Sequence, residues 1–378
     1  MRKGLRSILA LALIAAVLLL SGCNVRKAAD KGQSASTGTA GTAAAPYYQG
    51  KTIEIIVPFK EGGGTDLYAR FVAPYLEKNI EGNPKIVIKN MAGGESITGA
   101  NWFATNAKPD GLTLLASSAS TVFPALLGRP EVKYDINKMK PVMVTPTGGV
   151  VYSSSKNGVA SIDQLKAPPK PLVYGGISAS GLDLVPLLAY EALGLNVKSV
   201  LGFDGRGPAR LAFERGETNI DYQTTTAYLS NVVPLIKEGK AAPLMSFGII
   251  GKSGALERDP VVKDVPTVGE AYEKLRGKAP SGPAWQAYLA FTSAGFAYQK
   301  VLWVPEGTPK EATDALNKAV EKIAKDPDFN SKGAKALGGY PTFAGKDVEK
   351  AVRQVLTVPA DVRQWVTDLL KTKYNVKF

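Results

Sequence analysis

Ile53-Glu54-Ile55-Ile56-Val57-Pro58-Phe59-Lys60-Glu61-Gly62-Gly63-Gly64-Thr65-Asp66-Leu67-Tyr68-Ala69-Arg70 is the stretch whose reading decides the fold. The β-branched run from Ile53 to Val57 reads as a buried strand. Pro58 stops ladder pairing. Gly62, Gly63 and Gly64 make a turn, and Thr65-Asp66 opens a helical pattern with Leu67, Phe71, Tyr75 and Leu76 on one face. A strand, a glycine turn and a helix start leave backbone N–H groups free at the positive end of a helix dipole, which favours an anion. The spacing is not that of a P-loop, because no Gly-Lys-Ser/Thr follows, nor the G-x-G-x-x-G of dinucleotide folds. A tight strand-to-helix turn without a ligand is the competing reading.

The same unit recurs downstream. Lys85 to Lys89 reads as a strand, Asn90 to Ser96 as a glycine turn and Ile97 to Asn106 as a helix. Leu112 to Ala116 is a third strand, ending in the hydroxyl cluster Ser117-Ser118-Ala119-Ser120-Thr121. A second series begins near Met143. Its strands are expected at Gly149 to Ser153, from Leu172, at Asn196 to Leu201, at Thr218 to Tyr222 and at Met245 to Ile250. Ser178-Ala179-Ser180-Gly181 and Phe203-Asp204-Gly205-Arg206 are its strand-end loops. Amphipathic helices near Thr313 to Lys325, Lys346 to Leu356 and Ala360 to Lys371 close the chain. This alternation predicts an α/β fold with parallel strands and helices on both faces. Ligands of such sheets sit beyond the carboxyl ends of the strands.

The 378 residues suffice for about two domains. The net charge of +13 comes from basic residues spread along the chain, and no nucleic-acid motif accompanies it, so nucleic acid is not an expected partner. The chain has no histidine, which removes the commonest general base and metal ligand. The single cysteine, Cys23, follows Arg2, Lys3, Arg6 and an apolar run from Ile8 to Leu20. This reads as a signal peptide over residues 1–22, too short for a confident membrane span. Leu20-Ser21-Gly22-Cys23 resembles a bacterial lipobox, which implies cleavage before Cys23 and a lipid on its sulfur. Residues 23–46, rich in Ala, Gly, Ser and Thr, read as the lipidated cysteine and a flexible tether.

Several blocks in common order resemble the extracytoplasmic solute receptors of the tripartite tricarboxylate transporter family. They are Val57-Pro58-Phe59 with Gly62 to Asp66, Asn90 to Gly94, Pro109-Asp110-Gly111, Tyr174-Gly175-Gly176 through Gly181, Asp264 to Thr267 with Glu270-Ala271, and Pro305-x-Gly307-Thr308-Pro309. The resemblance implies a two-lobe, periplasmic-binding-protein-like (Venus flytrap) fold, each lobe a sheet flanked by helices. Residues 47–145 plus 266–378 would form lobe I and residues 146–265 lobe II. It implies a ligand carboxylate held between the lobes by Phe59, Gly62, Gly63, Gly64, Thr65 and Asp66 of lobe I and by Ser178, Ser180 and Gly181 of lobe II. Ser118, Ser120, Thr121, Phe203, Asp204 and Thr225 complete the candidate set. The expected partners are a small carboxylate, membrane permease subunits and, through Cys23, a bacterial membrane. The receptor is expected to be a monomer without cofactor or metal.

The chain departs from the family at Phe203-Asp204-Gly205, where a Tyr-Lys-Gly turn is common. Thr225 replaces a frequent Asp, and Phe123 a frequent Asn. These departures leave the ligand open among di- or tricarboxylates, aromatic acids and amino-acid-like compounds. Asp66 could face ligand or only cap its helix, and like-charge repulsion favours capping or water positioning. Asp204 and Arg206 could select a ligand group or pair on the surface. Trp285 and Trp303 read as packing residues. A receptor feeding a signalling system is the alternative function. An enzyme would have to work with Lys, Tyr, Asp or Glu as its base.

Overall fold

A computed structural model describes residues 45–157, 159–251 and 255–378. The expectations for the signal peptide, Cys23 and nearly all of the tether fall outside these residues. The strands are β1 (Thr52–Val57), β2 (Lys85–Asn90), β3 (Thr113–Ser117), β4 (Met139–Thr145), β5 (Gly149–Ser154), β6 (Leu172–Gly176), β7 (Val197–Leu201), β8 (Ile220–Thr224), β9 (Ala241–Ser246), β10 (Ile249–Ile250), β11 (Leu256–Glu257), β12 (Lys300–Pro305) and β13 (Phe343–Ala344). The helices are α1 (Gly64–Asn79), α2 (Ile97–Asn106), α3 (Ala119–Leu127), α4 (Leu184–Leu193), α5 (Arg206–Arg215), α6 (Thr225–Ala227), α7 (Val233–Lys237), α8 (Val268–Arg276), α9 (Pro283–Phe296), α10 (Lys310–Ala324), α11 (Pro327–Ala336), α12 (Gly345–Val355) and α13 (Ala360–Tyr374).

Two mixed sheets, one per lobe, organise these elements. The first has strand order β13-β4-β12-β3-β1-β2, and the second β7-β6-β8-β5-β9. The strand–turn–helix units predicted from sequence supply the parallel pairs, β1 with β2 and β3, and β6 with β7 and β8. The antiparallel members arrive by long-range crossings. β12 inserts between β3 and β4, and β5 lies between β8 and β9. The strand expected over Met245 to Ile250 is divided, with β9 ending at Ser246 and β10 pairing with β11.

Period-two alternation distributes β1 between two apolar layers. Ile53, Ile55 and Val57 pack with α1 and α10 on the outer face, while Ile56 faces the inner one. The inner layer is continuous between the sheets. Ile56, Leu115 and Trp303 of the first sheet and Tyr174, Ile220 and Tyr222 of the second share one buried cluster with Phe291 and Phe296 of α9. Phe123 of α3 meets Phe291 edge-on at 5.2 Å.

The face expected for α1 is rotated. Leu67 is 58% exposed, and the buried stripe is Tyr68, Val72, Tyr75 and Leu76. The apolar spacing fits either stripe, and the Gly62 to Gly64 turn sets which one meets the sheet. Trp303 is buried, with its indole N–H donating to Ser117 Oγ at 2.6 Å. Trp285 stacks on Tyr288. Both are packing residues, as read from sequence.

Candidate functional site

The first loop is built by the end of β1. Gly62 has φ +75°, a left-handed value that glycine adopts without a steric penalty. The first helical hydrogen bond of α1 runs from the Leu67 N–H to the Gly63 carbonyl, and no side chain caps Gly63. The N–H groups of Gly64, Thr65 and Asp66 therefore precede the helical ladder, at the positive end of the dipole. Asp66 turns inward. Its carboxylate accepts from Gly62 N–H at 2.8 Å, Arg70 Nε at 3.0 Å and Asn90 Nδ2 at 3.0 Å. Burial raises its pKa, and the hydrogen bonds from Arg70, Gly62 and Asn90 outweigh that, leaving it below the ordinary value. Asp66 thus holds the loop. Phe59 is half-buried, and its carbonyl accepts from the same Asn90 amide at 3.0 Å.

A residue the sequence did not single out completes this loop. Lys300, the first residue of β12, donates from Nζ to Thr65 Oγ1 at 2.8 Å. A methyl group placed on Gly64 would lie 4.0 Å from that Nζ. Burial pushes the Lys300 pKa down to about 7, and no carboxylate among the described residues offsets the loss of water. A lysine in this setting is an unmatched positive charge beside three free N–H groups. It can take one carboxylate.

The second-lobe loop follows β6 and is held in the same manner. Asp183 accepts from the Ile177 N–H at 2.8 Å and the Ser178 N–H at 3.1 Å, and from the Tyr174 hydroxyl. The Ser178 and Ser180 hydroxyls both reach Glu95 Oε2 of lobe I, at 2.6 and 3.1 Å. Arg129 of lobe I donates to Ser180 Oγ at 2.7 Å. The Leu182 N–H, next to Gly181, donates to Ser120 Oγ at 3.2 Å. The two lobes therefore touch across these loops. Two surface hollows, one against Pro74 and Lys85 and one against Phe329 and Tyr340, are lined by other residues.

The remaining candidates take other places. Ser118 and Thr121 close on each other as the capping box of α3. Phe203 packs over Gly175. Asp204 is exposed at the rim and pairs with Lys60 of the opposite lobe at 3.4 Å. Arg206, read as a surface or ligand-selecting residue, is interior. It lies between Asp183, at 3.0 Å, and Asp221, and donates to the Tyr222 and Gly175 carbonyls. Thr225 is fully buried at the junction of the lobes. There its hydroxyl and that of Tyr340 both donate to Asp259. Gly148 passes so close to this group that any Cβ would strike Asp259, Thr225 and Tyr340.

No family model matches the chain. Protein BugT of Bordetella pertussis (strain Tohama I) is 30% identical over 351 residues, covering 91% of this chain and 96% of that protein. A UPF0065 protein from the tcbD-tcbE intergenic region of Pseudomonas sp. is 25% identical, covering 78% of this chain and 81% of that one. A solved structure described as a periplasmic transporter superposes with a TM-score of 0.61 at 26% identity, covering 87% of this chain and 99% of that one. MatC from Rhodopseudomonas palustris with bound malate gives 0.59 at 23% identity, over 83% of this chain and 99% of that one. A second protein of that organism, with adipate, gives 0.61 at 20% identity, over 85% and 97%. On this match over nearly the whole of both chains, the chain belongs to the extracytoplasmic solute-binding receptors of the tripartite tricarboxylate transporter family.

Proposed function

We propose that this receptor captures a small organic carboxylate between its lobes, at the first loop, and delivers it to membrane permease subunits. Cys23 carries the lipid that tethers it to a bacterial membrane. One observation carries the ligand class: the uncapped N–H groups of Gly64, Thr65 and Asp66 stand beside Lys300 Nζ, which has no carboxylate of its own among the described residues. The malate and adipate held by the two proteins of like fold belong to the same class. Because the lobes touch at Glu95, Ser178 and Ser120, a ligand enters by parting them.

The reading is tested by thermal shift and calorimetry over a carboxylate library. A carboxylate that binds and is recovered unchanged is the expected result. Lys300→Met should weaken it roughly ten- to hundredfold, the worth of a hydrogen bond to a charged group. Unchanged affinity in that variant would remove the loop from the site. Anchoring is tested separately: Cys23→Ala should release the protein from membranes, and continued lipid labelling of the variant would refute it.

A further inference from the structure

We infer that Glu95 selects the ligand by charge, admitting compounds with one carboxylate and excluding those with a second at the far end. The inference rests on the carboxylate reading above and adds to it the chemistry of the opposite loop. The two facing loops are unequally furnished. The first offers free N–H groups and an unmatched ammonium. In the second, the hydroxyls of Ser178 and Ser180 are held by one oxygen of Glu95, and the N–H groups of Ile177 and Ser178 are held by Asp183. The Ser180 N–H turns back to Ser178 Oγ, and the Gly181 N–H to the Ser178 carbonyl. Both serine hydroxyls and two of the N–H groups of that loop already have a carboxylate, supplied by the protein.

The backbone around Glu95 supports a positioned rather than incidental side chain. Glu95 has φ +58° and Ser96 φ +88°, left-handed values uncommon outside glycine. They follow Gly93 and Gly94, also at positive φ. Holding two side-chain-bearing residues in this region is unfavourable, and such strain concentrates at functional sites. Glu95 forms no ion pair among the described residues, its carboxylate being held by the two serine hydroxyls. Arg129 points one nitrogen at Ser180 but pairs with Glu131 at 3.2 Å. A ligand carboxylate arriving at these serines would therefore meet a like charge competing for the same two hydroxyls. A ligand ending in a methyl, hydroxyl or amine would not.

The test is calorimetry with matched pairs: butanoate and succinate, hexanoate and adipate, benzoate and terephthalate. The wild type should bind the monocarboxylate of a pair at least about tenfold more tightly than its partner. Glu95→Gln removes the charge and keeps the shape, and should narrow that ratio about tenfold or more, chiefly by gain of the dicarboxylate. Glu95→Gly, which suits the left-handed backbone, should narrow it likewise, so a folding defect cannot explain the change. A wild type that prefers dicarboxylates, or a ratio unmoved in both variants, overturns the inference while leaving carboxylate capture standing. If no compound binds any form, or Lys300→Met leaves monocarboxylate affinity intact, the carboxylate reading falls as well.

Discussion

Lys300 titrates in a range that most lysines never reach, and this has a measurable sign. In the free protein its pKa lies near 7, below the ordinary 10.5. The penalty of burying its charge is full below about pH 7 and is relieved as pH rises toward the unfolded value. A ligand carboxylate beside it restores the charged form, so the complex has the higher pKa. Affinity is then level below about pH 7 and falls above it, by up to about tenfold per pH unit while one proton is taken up. Calorimetry at pH 8 in buffers of different ionisation heat should register that uptake, and Lys300→Met should abolish it. Sequence could not mark this residue. Lys300 stands 235 positions from Thr65, at the first position of a strand, where a lysine usually reads as a solvated end. Glu95 was equally silent, because a charge after two glycines looks like any exposed loop until the backbone angles are known.

At the scale of elements, the strand-to-helix units were legible, because glycine turns, β-branched runs and helical periodicity agree in each. α2 spans Ile97–Asn106, the range read from sequence. α9 was missed. Tyr288, Phe291, Thr292 and Phe296 are buried, along with Ala287 and Ala294, so the helix is apolar nearly all round and shows little period to detect. Pro283, opening a fourteen-residue helix with no further proline, was the available signal. The start of α5 also carries an unforeseen role. Arg206 joins α5 to Asp183 before α4 and Asp221 on β8, and burial keeps the Asp221 pKa above its usual value despite the pull of Arg206. Arg206→Met would leave two interior carboxylates unmatched. Urea unfolding at neutral pH should show a loss of about 3–5 kcal/mol. The loss should shrink toward acid pH, where Asp221, its pKa already raised by burial, takes up a proton.

For the whole molecule, the shared inner layer decides how the lobes unfold. Two sheets with separate cores would melt independently, but one cluster here joins both through α9. Differential scanning calorimetry of residues 45–378 should give a single transition. Phe291→Ala, which opens that layer beside Phe123, should shift the transition as a unit, with a loss of about 3–5 kcal/mol. Two resolved transitions, or a shift confined to one, would contradict a common core.

The same helix limits travel. Because α9 packs against α4 of one lobe and against α3, α12 and α13 of the other, the jaws can part at the loops only while staying fastened along that helix layer. Empty and laden molecules then have nearly the same silhouette, differing mainly along the lip where Lys60 faces Asp204. A membrane component that must tell them apart would do so by touching that lip, not by gauging overall girth.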